Sequence, residues 1–380
     1  MSAEPRSWLI GALCVLALLC GLTQRRAPSR SLKLSERGLS AQLQTRLWRA
    51  HPLSPESPEL PSALCDRSAA QGPSPSLLVM GDSRADRPGL GPSARWPSLT
   101  SAALQRGPQL LIHLGDWVTR GQDLREWRYA LEAALNLGLP LLTVRGNHDR
   151  GPHWAPLGLD GLGRAQAEPE PLRVTRAGEL LIYLLDSEAD ERVARAAVEA
   201  HLEAQRGAQR GAHGRGGGCA APRHTLWLQH RPLWSRGPHG SDERGWAEWL
   251  VPALEGLGVQ LFLAGHDHNY ERMERSRGWG EARAPQPKGV VYVTSGGAGA
   301  VNAPLPDLSW RLSARQRSQD RALSRRFSAA PHTLSLQLSS EGLQLEAWAS
   351  SSAGRSALID ELLIPPHAPQ NGIGMRRKGR

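Results

Sequence analysis

Residues 259–272 read VQLFLAGHDHNYER. Val259 to Leu263 is an apolar run of strand length, and the glycine that follows releases the chain into two histidines, His266 and His268, one residue apart. Two imidazoles therefore sit just past the C-terminal end of a strand, the edge at which α/β sheets collect their ligands. A chelating pair of this kind identifies nothing by itself, because short motifs arise often by chance.

The same arrangement recurs upstream. Leu77–Met80 (LLVM) runs into GDSR at Gly81–Arg84, Gln109–Leu114 runs into GDWVTRG, Pro140–Val144 runs into GNHDR, and Leu226–Gln229 runs into His230. Helical patterns lie between these strands: 124–137 with Asp123 as N-cap, 191–206, and 245–257. Further strands are expected at Leu180–Leu185 and at Gly289–Thr294, the latter ending in SGGAGA. Short apolar strands alternating with helices predict an α/β arrangement whose strands are buried on both faces. From Thr333 the pattern becomes strict alternation, TLSLQLS, then LQLEAW, then ALIDELLI, which predicts antiparallel strands closing a second sheet. Residues 151–170 read as an irregular insertion, 206–218 as a low-complexity Gly/Arg loop, and 302–330 as a polar, Arg-rich loop.

The ends are distinct from this core. Trp8 to Leu22 is apolar, preceded by Arg6 and followed by Arg25 and Arg26, which fits a signal peptide or signal anchor over residues 1–23. That implies export, to a periplasmic, secreted or membrane-anchored position outside the cytoplasm. Residues 24–75 are rich in Pro, Ser and Arg and read as a linker with one short helix at Leu39, Leu43 and Leu47. The catalytic domain is expected over 76–364, with a basic tail over 365–380. Cys65 and Cys219 lie outside the apolar run, and pairing as one disulfide and remaining as two thiols both stay open. The formal charge of +10 does not point to nucleic acid, because Lys33, Lys288 and Lys378 are the only lysines and no stretch interleaves aromatic with basic residues.

The polar residues at the strand ends are Asp82, Asp116, Asn147, His148, His230, His266 and His268. Carboxylates, an amide oxygen and neutral imidazoles together suit Zn, Mn or Fe, whereas an all-oxygen cage would suit Ca or Mg. Asp116 can bridge two ions, which in hydrolytic pairs lie about 3.5–4 Å apart. His148 need not be a ligand. With Asp149 to orient it as an imidazolium, it serves as a general acid for an alkoxide leaving group. Gly81, Gly115, Gly146 and Gly265 are expected to let the backbone turn sharply before each ligand.

The ordered series GD at 81, GD at 115, GNHD at 146, His230 within QHRP and GHDH at 265 resembles the calcineurin-like metallophosphoesterases. The YER after GHDHN and the later SGGAGA resemble the purple-acid-phosphatase branch of that superfamily. The resemblance implies a two-layer β-sandwich of mixed sheets flanked by helices. It also implies two divalent or trivalent transition-metal ions (Mn, Zn or Fe), the first on Asp82, Asp116 and His268, the second on Asp116, Asn147, His230 and His266, with His148 catalytic. Two positions depart from the pattern. Arg84 stands where many relatives have a histidine, and an arginine cannot ligate a cation. Thr119 stands where purple acid phosphatases have a tyrosine. The first site is therefore short of a ligand, and Arg84 is better suited to clamping phosphate.

The implied activity is metal-dependent hydrolysis of phosphate monoesters or diesters by an activated water, with a phosphorylated substrate and membrane attachment through the N-terminal segment. The competing reading is a catalytically reduced phosphate-binding protein on the same fold.

Overall fold

A computed structural model describes residues 36–56, 75–85, 91–157, 159, 169–211, 222–274, 289–299, 324–351 and 355–367. The apolar N-terminal run, Cys65, Cys219 and the basic tail lie outside these. Among the described residues no helix is long and apolar enough to cross a membrane.

Fourteen strands in the described residues form two mixed sheets. In the smaller, β2 (Leu77–Met80), β3 (Leu110–His113) and β4 (Leu141–Thr143) run parallel at one side, and β12 (His332–Leu338), β13 (Leu343–Ser350) and β14 (Ser356–Ile364) extend it antiparallel. The C-terminal strands thus complete the first sheet through β12 on β2, where the alternation pattern had predicted a second sheet. The larger sheet has a parallel centre of β6 (Leu180–Leu185), β7 (His224–Leu228), β8 (Leu261–Ala264) and β10 (Val291–Ser295). Antiparallel β5 (Leu172–Ala177) and β1 (His51–Pro52) flank one side, and β9 (Tyr270–Glu274) and β11 (Ser324–Ser328) the other.

The period-two geometry of a strand decides which face each residue serves. In β6, Ile182 and Leu184 point between the sheets and pack with Val79, Ile112, Leu142, Leu334 and Leu345 of the opposite sheet. Their neighbours Leu181, Tyr183 and Leu185 point the other way, onto a layer holding Ala194 and Val198 of the helix Glu191–Gly211 and Leu250 and Leu254 of the helix Ala247–Gly256. Strands apolar at every position are explained by this double burial. The helix Leu124–Leu135 starts where expected, with the Asp123 carboxylate accepting the Arg125 N–H at 3.0 Å.

Three boundaries differ from the sequence reading. Residues 40–56 belong to the same compact unit as the strands from β2 onward, with Leu43 and Leu53 buried and β1 pairing with β5, so these residues of the stretch 24–75 are sheet edge and core rather than linker. Strand β5 (LRVTRA) follows the insertion directly; its arginines had masked it. Strand β11 (SRRFS) falls inside the stretch read as an Arg-rich loop, its register with β9 shifted between Ser324 and Arg326.

Candidate metal centre

The two sheets deliver their ligands to one place. Asp82, Asp116 and Asn147 follow β2, β3 and β4 of the smaller sheet; His230 follows β7, and His266 and His268 follow β8, in the larger. All six expected ligands converge. Asp82, Asp116 and His266 take left-handed backbone conformations, with φ of 59°, 58° and 72°, which non-glycine residues seldom adopt. Such strain is characteristic of sites whose surroundings over-determine them. At Asp82 and His266 the turn is therefore made by the ligand itself, while before Asp116 the preceding Gly115, with φ of 89°, turns as expected. Gly146 and Gly265 serve instead to admit them: a Cβ on Gly146 would lie 2.1 Å from Asp116 Oδ1, and one on Gly265 would lie 2.5 Å from Asp82 Oδ2.

The second-ion donors have a definite proton arrangement. His230 Nδ1 lies 2.8 Å from the Leu114 carbonyl, which can only accept, so Nδ1 carries the proton and Nε2 presents a lone pair. His266 Nε2 lies 2.8 Å from the Glu243 carboxylate, which leaves Nδ1 as its lone pair. Those two lone pairs are 3.2 Å apart and lie 3.0 and 2.9 Å from Asn147 Oδ1. Three such atoms facing one another in a buried place repel unless a proton or a cation lies among them, and the mixed N/O set suits a transition metal. These residues fit such an ion.

The first-ion donors are arranged differently. Asp82 Oδ2 accepts the His266 N–H at 2.9 Å, while Oδ1 is 3.6 Å from His268 Nε2 and has no hydrogen-bond partner among the described residues. Asp116 Oδ1 accepts the His148 N–H at 2.9 Å and lies 3.4 Å from His230 Nε2. Its Oδ2 is 3.6 Å from Arg84 Nε. Arg84 is therefore paired with the Asp116 carboxylate, while Asp86 lies outside the described residues.

Electrostatics separates groups of similar burial. Burial pushes the Asp82 carboxyl well above the usual range. Burial acts on Asp116 in the same sense, but His230, His148 and Arg84, with the His148 N–H, outweigh it and hold Asp116 low. Burial lowers His266 to about 3 and His268 to about 4, so both imidazoles are neutral near pH 7, the form that ligates metals. For His230 the burial effect is outweighed by Asp116, Asp82 and Glu188, and its pKa is raised, so an ion held at Nε2 would displace a proton there.

His148 and Asp149 are organised otherwise than the sequence leads one to expect. Asp149 does not hydrogen-bond the His148 ring. Its carboxylate, pushed well up by burial, accepts the backbone N–H groups of Gly146, Asp116 and Trp117 at 2.8–2.9 Å and clamps the two ligand loops together. The His148 ring is oriented by the Thr119 carbonyl, 2.9 Å from Nδ1, with Nε2 facing the site 4.0 Å from Asp116 Oδ2. Trp117 and Trp154 belong to the core, stacked on His113 and packed edge-on to Trp127. Tyr270 and Arg272 support the loop from behind by bonding Asp360 at 2.7 and 2.6 Å.

Sequence reading missed an outer ring. His239 lies over the His266 ring with centroids 4.1 Å apart. Glu243 bonds His266 and also Arg231, which in turn bonds the buried Glu188 at 2.6 Å. The donor atoms of His239, Glu243 and His266 come within 4.8 Å of one another, but Glu243 and His239 are exposed and His266 turns its other nitrogen inward. His239 and Glu243 have no sequence signal beyond proximity to His230, since neither stands at a strand end.

Residues 76–270, just over half of the chain, match the family model of the calcineurin-like phosphoesterases. No curated protein sequence matches. Among solved structures, GAP50, the anchor in the inner membrane complex of Plasmodium, aligns at 15% identity over 79% of this chain and 91% of its own, with a TM-score of 0.52. The purple acid phosphatase PPD1 of yellow lupin seeds aligns at 17% identity and a TM-score of 0.54 over 78% of this chain, which spans 54% of the lupin chain. At these identities the likeness is one of fold.

Proposed function

The chain belongs to the calcineurin-like phosphoesterase family, and from that premise we propose that it hydrolyses phosphate esters, with His148 as the acid that protonates the leaving oxygen. The observation that carries this reading is the meeting of Asn147 Oδ1, His230 Nε2 and His266 Nδ1 within 3.2 Å, beside the exposed edge of the His148 ring. When bound there, a transition metal supplies an acidified water as nucleophile and draws charge from the phosphoryl oxygens. Asn147, His230 and His266 would hold it, with Asp116 alongside.

The protein groups do the rest. Thr119 keeps one proton on His148 Nδ1, so the imidazolium form carries its second proton on Nε2, aimed at the leaving oxygen, and returns to the neutral ring when that proton is given up as the P–O bond breaks. Arg84, tied to Asp116 by its Nε, directs its remaining N–H groups toward phosphoryl oxygens. The apolar run at Trp8–Leu22 supports export, with that segment as signal or anchor.

Arg84 beside Asp116 also favours a second reading, a phosphate-binding protein without efficient turnover. Purified full-length chain, assayed for bound metal and for hydrolysis of p-nitrophenyl phosphate and bis-p-nitrophenyl phosphate with Mn, Zn or Fe added, separates the two. Bound metal with hydrolysis supports the enzyme. Saturable phosphate binding without hydrolysis supports the second reading, and neither metal nor hydrolysis sinks the first.

A further inference from the structure

We propose that this chain carries a single transition-metal ion, at Asn147, His230 and His266, and that the Arg84 guanidinium stands in place of the second ion of a binuclear centre. The inference rests on the metal-dependent reading above and sharpens it from a pair of ions to one ion and one arginine.

The two donor groups differ in kind. At Asn147, His230 and His266 three donor atoms face inward, and the Arg231 guanidinium lies on the outer side of His266, bonded to Glu188 and Glu243. At Asp82 and His268 two donor atoms stand 3.6 Å apart, and the third donor, Asp116 Oδ2, already faces Arg84 Nε at 3.6 Å. Arg84 is held there by the main chain as well as by charge: its N–H donates to the Asp116 carbonyl at 3.2 Å. Its side chain is 17% exposed, and Nε is buried with no hydrogen-bond partner among the described residues. A guanidinium offers no lone pair to a cation, so Arg84 cannot complete this donor set as a histidine would.

Charge balance points the same way. Asp82, Asp116, Arg84 and one divalent ion sum to +1, while a second divalent ion would raise the same group to +3 in a largely buried place. With a histidine at 84, two ions would leave +2. In the one-ion arrangement each remaining group still has work. Asp82 holds the His266 loop through the His266 N–H, and Arg84 meets Asp116 with Nε while its outer N–H groups reach phosphate, as a second ion otherwise would.

The test is metal stoichiometry on the full chain, equilibrated with excess Zn(II) or Mn(II), freed of unbound ion and measured by elemental analysis. One ion per chain is expected, falling to none in His230→Ala and rising to two in Arg84→His. The Mn(II)-loaded wild-type chain should give the electron paramagnetic resonance signal of an isolated ion, a readout that needs no variant. Arg84→Met should keep its one ion and bind inorganic phosphate roughly ten- to a hundredfold more weakly, the loss expected of a charge-assisted hydrogen bond. Two ions in the wild type, or the signal of a spin-coupled pair, overturns the proposal while leaving phosphoesterase activity intact as a reading. No ion in the wild type removes the metal-dependent reading beneath it. Unchanged phosphate affinity in Arg84→Met removes the arginine's role.

Discussion

The carbonyl oxygen of Thr119 lies 2.9 Å from Nδ1 of His148, so the ring that faces the cleft is aimed by main chain, with no acid behind it. Main-chain orientation is indifferent to the side chain that supplies it. Thr119→Ala should therefore keep turnover within a few-fold of wild type, whereas His148→Ala should lower it by about 10²–10⁴, the usual worth of a positioned general acid. Metal content by elemental analysis should be unchanged in both. A parallel loss of metal in His148→Ala would make His148 a ligand.

Glu243 bonds the outer nitrogen of His266 and so fixes which nitrogen faces the ion. Partners of this kind, when removed, typically cost about ten- to a hundredfold in metal affinity. Glu243→Gln is expected to show that loss in a chelator competition, with the fold intact by circular dichroism. Because Glu243 is exposed, loss of folding is not the expected result.

Gly146 has no room for a methyl group. Its Cβ would lie 2.1 Å from Asp116 Oδ1 and 2.4 Å from the Asp116 nitrogen, and the backbone atom cannot swing aside. Gly146→Ala should displace Asp116, lowering both metal content and melting temperature. Overpacking of this order costs about 1–3 kcal/mol or more, and a scan of thermal unfolding would read it directly.

Glu271, on β9, is raised to about 7 by burial, although the Arg236 N–H and the Ser324 hydroxyl both donate to it. In the unfolded chain its pKa is near 4.5. Between these values the folded protein holds a proton that the unfolded chain has lost, so stability falls as pH rises from about 4.5 through 7. The contribution is on the order of 3 kcal/mol at most. Glu271→Gln should remove it, and the melting temperatures of the two proteins should diverge in favour of the variant as pH rises through that window.

The parts of the site that sequence made legible are those where local pattern and tertiary role coincide. An apolar run closed by Gly-Asp, Gly-Asn-His, Gly-His or, at His230, by Gln-His marks a strand end, and Asp82, Asp116, Asn147, His230, His266 and His268 all stand there. What stayed hidden depends on partners distant in the chain. The orienting groups Leu114 O and Thr119 O are main-chain atoms with no residue signature. Asp149 beside His148 looked like its partner, but the turn faces the carboxylate to the N–H groups of Asp116 and Trp117 instead. Strands β5 and β11 carry arginines at positions whose partners, not their own propensity, make them sheet.

The candidate ligands come in equal number from the two sheets, Asp82, Asp116 and Asn147 from one and His230, His266 and His268 from the other, and the single ion proposed above would join Asn147 of the first to His230 and His266 of the second. A bound ion is thus also a rivet through the sandwich, joining two layers that otherwise meet there mainly through apolar side chains. Whatever binds only the folded form stabilises it, by about 2.7 kcal/mol at a hundredfold excess over the dissociation constant. The chain's survival against heat and proteolysis should therefore follow the supply of metal in its surroundings, even where no substrate is present.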